Sequence, residues 1–310
     1  MSETRRTFFQ TAAALAAAGA TSQAQTKPAN GATASAADAQ ISMPMVKFGS
    51  AQISRMILGA NPLLGFSHNV GNFSEAMKSW YTQERVVEVL RRAERVGING
   101  FNYVHMGRGQ ADWDRYVAEG GKMRLIAQST MEDPAVLVNA VHPWAAWVQG
   151  EITDRAWRAG NLNPVREYAK KLKGLGVSMV GVASHIPEVL ARIEDQGWDI
   201  DFYAGSAYNI RRTPDELRKL LGGEIPEMER DVYLQDDPSR MYAFFRSTKK
   251  PCVAYKILAA GRVASPQQAF QRAFESIKPI DLVCVGVFPH MKDEIKEDAL
   301  YVSRYGAIRT

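Results

Sequence analysis

Cysteine is nearly missing from this sequence, with only Cys252 and Cys284 in 310 residues. Both sit inside apolar runs, PCVAY and DLVCVGVF. They read as two buried thiols packing as small hydrophobes, with a disulfide between neighbouring strands as the alternative. No block of Lys or Arg occurs either. The formal net charge is +5, and the first 24 residues supply +1 of it through Arg5 and Arg6 against Glu3. A chain without a basic stripe lacks the footprint of a nucleic-acid binder, so none is expected as a partner. The apolar stretch TAAALAAAGA at 11–20 is too short to cross about 30 Å of hydrocarbon, so no stable membrane anchor is expected. No H-x-x-x-H pair offers a local metal motif, and no G-x-G-x-x-G follows the first strand.

What is present is an ordinary globular composition, 46% hydrophobic and 23% charged. The N-terminus carries a targeting signal: TRRTFFQ at 4–10 has the twin-arginine form, then comes the apolar stretch, then SQA at 22–24. Residues 1–24 therefore read as a signal peptide cleaved after Ala24, which implies a periplasmic or extracellular protein. Residues 25–41 are small and polar without periodicity and read as a disordered linker. The remaining 42–310 form one domain.

In that domain short apolar runs alternate with helical patterns. The runs are RMILGA (55–60), GFNYVHM (100–106), MRLIAQS (123–129), AAWVQGEI (145–152), VSMVGVAS (177–184), IDFYAGSAY (200–208), PCVAYKIL (251–258) and DLVCVGVF (281–288). Between them, stretches such as ERVVEVLRRAERVG, NPVREYAKKLKGLG and SPQQAFQRAFESI space apolar residues by three and four. Nearly continuous apolar strands joined by helices predict a parallel sheet covered on both faces. Eight such units close most economically into a (β/α)8 TIM barrel, an α/β fold; an open doubly wound sheet is the runner-up. A long insertion at 209–240 follows the sixth strand and would lie over the catalytic face.

Barrel enzymes build their sites at the C-terminal strand ends. Those positions hold Asn61 with His68 just beyond, Tyr103 and His105, Gln128 and Ser129, Gln149 and Glu151 with Asp154 beyond, Ser184 and His185, Tyr208 and Asn209, Tyr255 and Lys256, and His290. Alternation puts Tyr103 and His105 on one face, likewise Gln149 and Glu151, and sets Lys256 opposite to Tyr255.

From residue 46 to about 300 these segments resemble the aldo-keto reductases. VKFGSAQISRMILGANPLLG (46–65) is similar to that family's N-terminal β-hairpin running into the first strand. AERVGINGFNYVHMG (93–107), VGVASH (180–185), CVAYKILAAGR (252–262) and VGVFPHMKDEIKEDA (285–299) are similar to its second, fifth, seventh and eighth strands. The resemblance implies an NADPH-dependent carbonyl reductase with an Asp-Tyr-Lys-His set, Tyr255 against the nicotinamide and Ser184 in the cofactor site. The set itself is not retained. Asn102 stands for the Asp, Met106 or Gly107 for the Tyr, Gln128 or Ser129 for the Lys, and Gln149 or Glu151 for the His. Gly205 stands for the carboxamide-holding Gln, and Phe288 and Asp293 replace the basic residues around the adenosine phosphate.

Three readings follow. In the first, a barrel enzyme acts on a small carbonyl or carbohydrate substrate with an altered catalytic set: His105 or His185 as acid/base, Tyr103 beside His105, Glu151 as a second base, and Lys256 polarising a carbonyl or forming a Schiff base. Asn61, Asn102, Gln128, Gln149, Tyr208 and Asn209 would line the substrate site. In the second, His105, Glu151 and His185 hold a divalent metal for a sugar isomerase, epimerase or lyase. In the third, the barrel only binds a small molecule. Trp113, Trp144, Trp147 and Trp157 near the second to fourth strand ends would suit a sugar, or simply pack helices.

Overall fold

The computed structural model describes residues 41–69, 72–130, 133–223 and 231–308. The described residues fall within one compact unit, Ser35–Thr310. The twin-arginine segment and the linker, apart from Ile41, lie outside the described residues. No helix among those described is long and apolar enough to cross a membrane.

The chain opens with an antiparallel hairpin, β1 (Met45–Phe48) and β2 (Ala51–Ser54), in which Met45 pairs with Ser54 and Phe48 with Ala51. Gly49 makes its turn at φ +60°, a conformation that favours glycine, and a Cβ there would crowd the Met179 sulfur. Eight parallel strands follow: β3 (Met56–Gly59), β4 (Gly100–Val104), β5 (Arg124–Ser129), β6 (Ala145–Val148), β7 (Met179–Ser184), β8 (Phe202–Ser206), β9 (Cys252–Tyr255) and β10 (Leu282–Val285). They close into a barrel in chain order, with β10 pairing β3. The expected (β/α)8 barrel, its N-terminal hairpin and its eight strand positions are therefore all present.

The helices are α1 (Phe73–Trp80), α2 (Gln83–Arg95), α3 (Gly109–Ala118), α4 (Pro134–Val141), α5 (Gly150–Arg158), α6 (Asn163–Gly174), α7 (Pro187–Asp195), α8 (Pro214–Leu221), α9 (Asp237–Ser247), α10 (Pro266–Ser276) and α11 (Glu294–Tyr305). Their starts follow local signals, as where the Thr213 hydroxyl accepts from the Glu216 N–H in a capping box ahead of α8. The insertion after β8 contains α8 and runs into α9. A buried ion pair between Arg212 and Asp237 ties its two ends, and Asp237 also accepts the Asn209 N–H at 3.1 Å.

Two apolar clusters divide the core. One lies between the strands and the helix ring and includes Phe101, Tyr103, Trp113 and Cys252. The other fills the barrel interior with Ile57, Ile126, Trp147, Phe202 and Cys284, and the hairpin residues Val46, Phe48 and Ile53 plug it from below. The Phe48 ring meets Phe202 edge-on at 5.1 Å between centroids. Cys252 and Cys284 thus belong to opposite faces of the sheet, and both are free thiols.

Candidate active site

A cavity of about 730 Å³ opens at the C-terminal ends of the strands. That is the size range of small-molecule sites. Among the residues that line it is Lys256, the residue after β9. Its Nζ lies 2.8 Å from His68 Nε2, and Asn61 Nδ2 lies 3.2 Å from the same nitrogen. His68 Nδ1 faces Asp231 Oδ2 at 2.9 Å. Two donors at Nε2 fix the tautomer: Nε2 accepts and Nδ1–H donates to the carboxylate. Burial lowers the Lys256 amine from 10.5 to about 8, Asp231 works the other way, and the charge of Arg211 adds to the fall. His68 is also held below its usual value. The Asp231 hydrogen bond raises it, but burial and the charge of Lys256 outweigh that. The Asp231 carboxyl stays below the carboxylate range: burial pushes it up, and the His68 hydrogen bond with the nearby cations pulls it down.

Backbone conformation singles out the same pair. Among the described residues five non-glycines have positive φ, and two of them are His68 at +55° and Lys256 at +59°. Ala259 and Ala260 follow Lys256 in the same region. Side-chain-bearing residues there are uncommon and strained, and such strain concentrates at sites where the surroundings enforce it.

On another wall stands a buried dyad. Asp154, one turn into α5, is 2% exposed and receives three donors. These are the Ser184 hydroxyl, the His185 backbone N–H at 3.2 Å, and His185 Nδ1–H at 2.7 Å. His185 follows β7 and lines the cavity; its Nε2 has no hydrogen-bond partner among the described residues. Burial depresses His185 more strongly than Asp154 raises it, so the ring is neutral at pH 7 and its Nε2 is an available base. The Tyr255 ring stands edge-on to His185 at 5.6 Å, and its hydroxyl donates to the Ser184 carbonyl at 3.2 Å. Gly150 permits this packing, since a Cβ there would lie 2.7 Å from the Tyr255 hydroxyl.

Of the residues expected from sequence, Asn61, Asn102, Gln128, Gln149, Glu151, His185, Tyr255 and Lys256 line the cavity together. Others do not. In β4 the inward positions are Asn102 and Val104, with Met106 following in the loop, whereas Tyr103 points to the helix layer beside Phe101 and Trp113. His105 shares that outward face and is bonded to the Tyr103 hydroxyl at 2.8 Å. The pairing of Tyr103 with His105 is as expected, but the pair faces away from the barrel axis. The proposed metal set of His105, Glu151 and His185 is therefore not assembled. Among the described residues no three His, Cys, Asp or Glu side chains could hold a metal ion. Glu151 is helical, in the first turn of α5, and forms an ion pair with Arg211 at 2.7 Å. Ser184 directs its hydroxyl to Asp154 and is fully buried, off the cavity wall. Tyr208 and Asn209 also lie off it: Tyr208 takes a hydrogen bond from Arg272, and Asn209 accepts from the Arg211 N–H. Of Trp113, Trp144, Trp147 and Trp157, only Trp147 lines the cavity.

Sequence reasoning placed His68 and Asp154 just beyond strand ends without giving either a role, and passed over Asp231 and Arg211. His68 and Asp231 are 163 residues apart, and nothing local marks them as partners. The signal for Asp154 was its spacing after β6, one helical turn beyond Glu151.

No protein-family model matches the sequence, and no curated protein matches it. Solved structures do. A Gox0644 variant in complex with NADPH is 12% identical at a TM-score of 0.51, covering 87% of this chain and 90% of that one. Apo Gox0644 is 12% identical at 0.50, covering 87% and 97%. An aldo/keto reductase from Brucella melitensis is 13% identical at 0.45, covering 85% and 98%. Aldo-keto reductases are thus among the structures this chain resembles, and at these identities the likeness is one of fold.

The fold neighbour holding NADPH invites a test of fit. Beyond β10 the side chains on the cavity wall are those of Phe288, Lys292, Glu294, Glu297 and Asp298. Lys292, the cation among these five, is engaged by Glu297 at 2.5 Å. A phosphorylated dinucleotide needs donors and positive charge for its phosphates. Three carboxylates do not fit it.

Proposed function

We propose that the chain is an exported enzyme that binds a small hydroxy-carbonyl compound, such as an open-chain sugar, and rearranges or cleaves it through Lys256. The carrying observation is a half-buried amine on the cavity wall, 2.8 Å from His68 Nε2 and lowered to about 8. Such an amine is largely protonated at neutral pH, yet far more of it is unprotonated than of an ordinary lysine.

Lys256 Nζ adds to the carbonyl carbon, the carbonyl oxygen leaves as water, and an iminium remains. The iminium draws electrons from the adjacent carbon, and His185 Nε2 takes the proton released there. Asp154 keeps the ring in the accepting tautomer and stabilises it once protonated. Reprotonation of that same carbon from its other face restores the iminium and gives an epimer. If His185 instead takes the proton of a hydroxyl on the next carbon, the bond between the two carbons breaks, and protonation of the resulting enamine leaves two smaller carbonyl compounds. Hydrolysis returns the amine. No electrons enter or leave, so no hydride donor is required.

The test is borohydride trapping across a panel of small aldehydes, ketones and reducing sugars, read by mass spectrometry. A reduced adduct on the Lys256 peptide, absent from Lys256→Met, is expected. Turnover with no adduct, or turnover that consumes NADPH, would overturn the reading. The export element rests on Arg5 and Arg6: their joint replacement by Lys should leave the protein in the cytoplasm, and continued export would remove that element.

A further inference from the structure

Asp298 is 3% exposed, lines the cavity, and makes no hydrogen bond or ion pair among the described residues. Glu297 and Asp298 follow Glu294 in α11 by three and four residues, so both neighbour it on the helix surface, and all three border the cavity. Its neighbours offer little relief: the charge of Lys292 pulls its carboxyl down, but by less than the other groups push it up. Glu297 is taken by Lys292, and Glu294 accepts the Phe288 N–H at 2.6 Å. Burial first, then the charges of Glu294 and Glu297, push the Asp298 carboxyl well above its ordinary value. A buried carboxyl without a partner is unfavourable, and what it lacks is a donor or a cation. Phe288, whose N–H rests on Glu294, also lines the cavity, and its ring meets that of Phe73 edge-on at 5.8 Å. Aromatic faces beside carboxylates attract a cation carried on an apolar body and repel an anion.

We propose that this acidic part of the cavity binds the ammonium group of an organic amine, with Asp298 as its counter-ion, Glu294 beside it and the Phe73–Phe288 wall holding the amine's apolar body. The site accounts for the misfit with a phosphorylated dinucleotide, and it stands independently of the chemistry at Lys256.

Calorimetric titration of the full chain with 2-phenylethylammonium, 2-phenylethanol and NADPH tests it. The ammonium compound should bind about tenfold or more tightly than the neutral alcohol, the size of one charged hydrogen bond. That preference should vanish in Asp298→Asn and persist in Lys256→Met, which separates this site from the proposed catalytic one. Should Asp298→Asn fail to fold by thermal melt, Glu294→Gln serves in its place and should reduce the preference. Absence of ammonium binding, equal binding of the alcohol, a preference unchanged in these carboxylate variants, or saturation by NADPH would each overturn the proposal.

Discussion

At the N-terminal end of the barrel, Arg55 is 3% exposed and its guanidinium donates to the carbonyls of Asp281, Gly306 and Lys278 at 3.1, 2.9 and 3.0 Å. It also lies 4.7 Å over the Phe274 ring. Asp281 beside it takes the N–H groups of Cys252 and Lys278, both at 2.8 Å. At the other end the polar atoms are less well served. Arg211 Nε and the Tyr233 hydroxyl are buried without partners, Asp298 is unpaired, and Lys256 and His68 occupy strained backbone. The same strands carry both ends. The lower end satisfies its buried charges, as a region serving stability does, while the upper end leaves groups unsatisfied where a ligand would complete them.

Paired substitutions sharpen this contrast. Lys256→Met should lower turnover by roughly 10³-fold or more while leaving the melting temperature equal or higher, because an apolar chain replaces a buried cation. Arg55→Ala should do the reverse, costing about 3–5 kcal/mol of stability by chemical denaturation with turnover per folded molecule unchanged. A stable Arg55→Ala protein, or an unfolded Lys256→Met one, would break the comparison.

Acidity gives a middle-sized effect. With the folded Lys256 amine at about 8 and its ordinary value at 10.5, the unfolded chain binds more protons between those limits. This group's contribution to stability therefore rises with pH from about 8 to 10.5, and its penalty is full below 8. kcat/KM should climb through about 8 as the free amine forms, and the stability gain at high pH should be missing from Lys256→Met. A flat profile across that range would count against Lys256 as the reacting group. The smallest effect belongs to His105→Ala, which removes the hydrogen bond to Tyr103 outside the cavity. It should cost about 1 kcal/mol of stability and change turnover less than about twofold; a large loss of turnover would restore His105 to the site.

The fold was legible because apolar runs and helical spacings are local, and each of the eight runs became a strand. Much of the cavity wall was legible too, since strand ends alone bring Asn61, Gln128, Gln149, His185 and Lys256 to one mouth. Alternation revealed that Tyr103 and His105 share a face, but not which face. That depends on how Phe101 and Trp113, stacked at 6.0 Å, pack against the helix layer. The His68–Asp231 pair depended on how the loop after β3 and the insertion after β8 meet, and no periodicity records that.

The contact between those two segments bears on the amine itself. His68 comes from one loop and Asp231 from the other, and Lys256 rests against their junction. The junction acts on the amine in two opposed ways: the burial around it favours the uncharged form, while the Asp231 carboxylate favours the charged one, and burial prevails. Under the proposed mechanism the reactivity of one lysine is thus set by residues that lie far from it in the sequence.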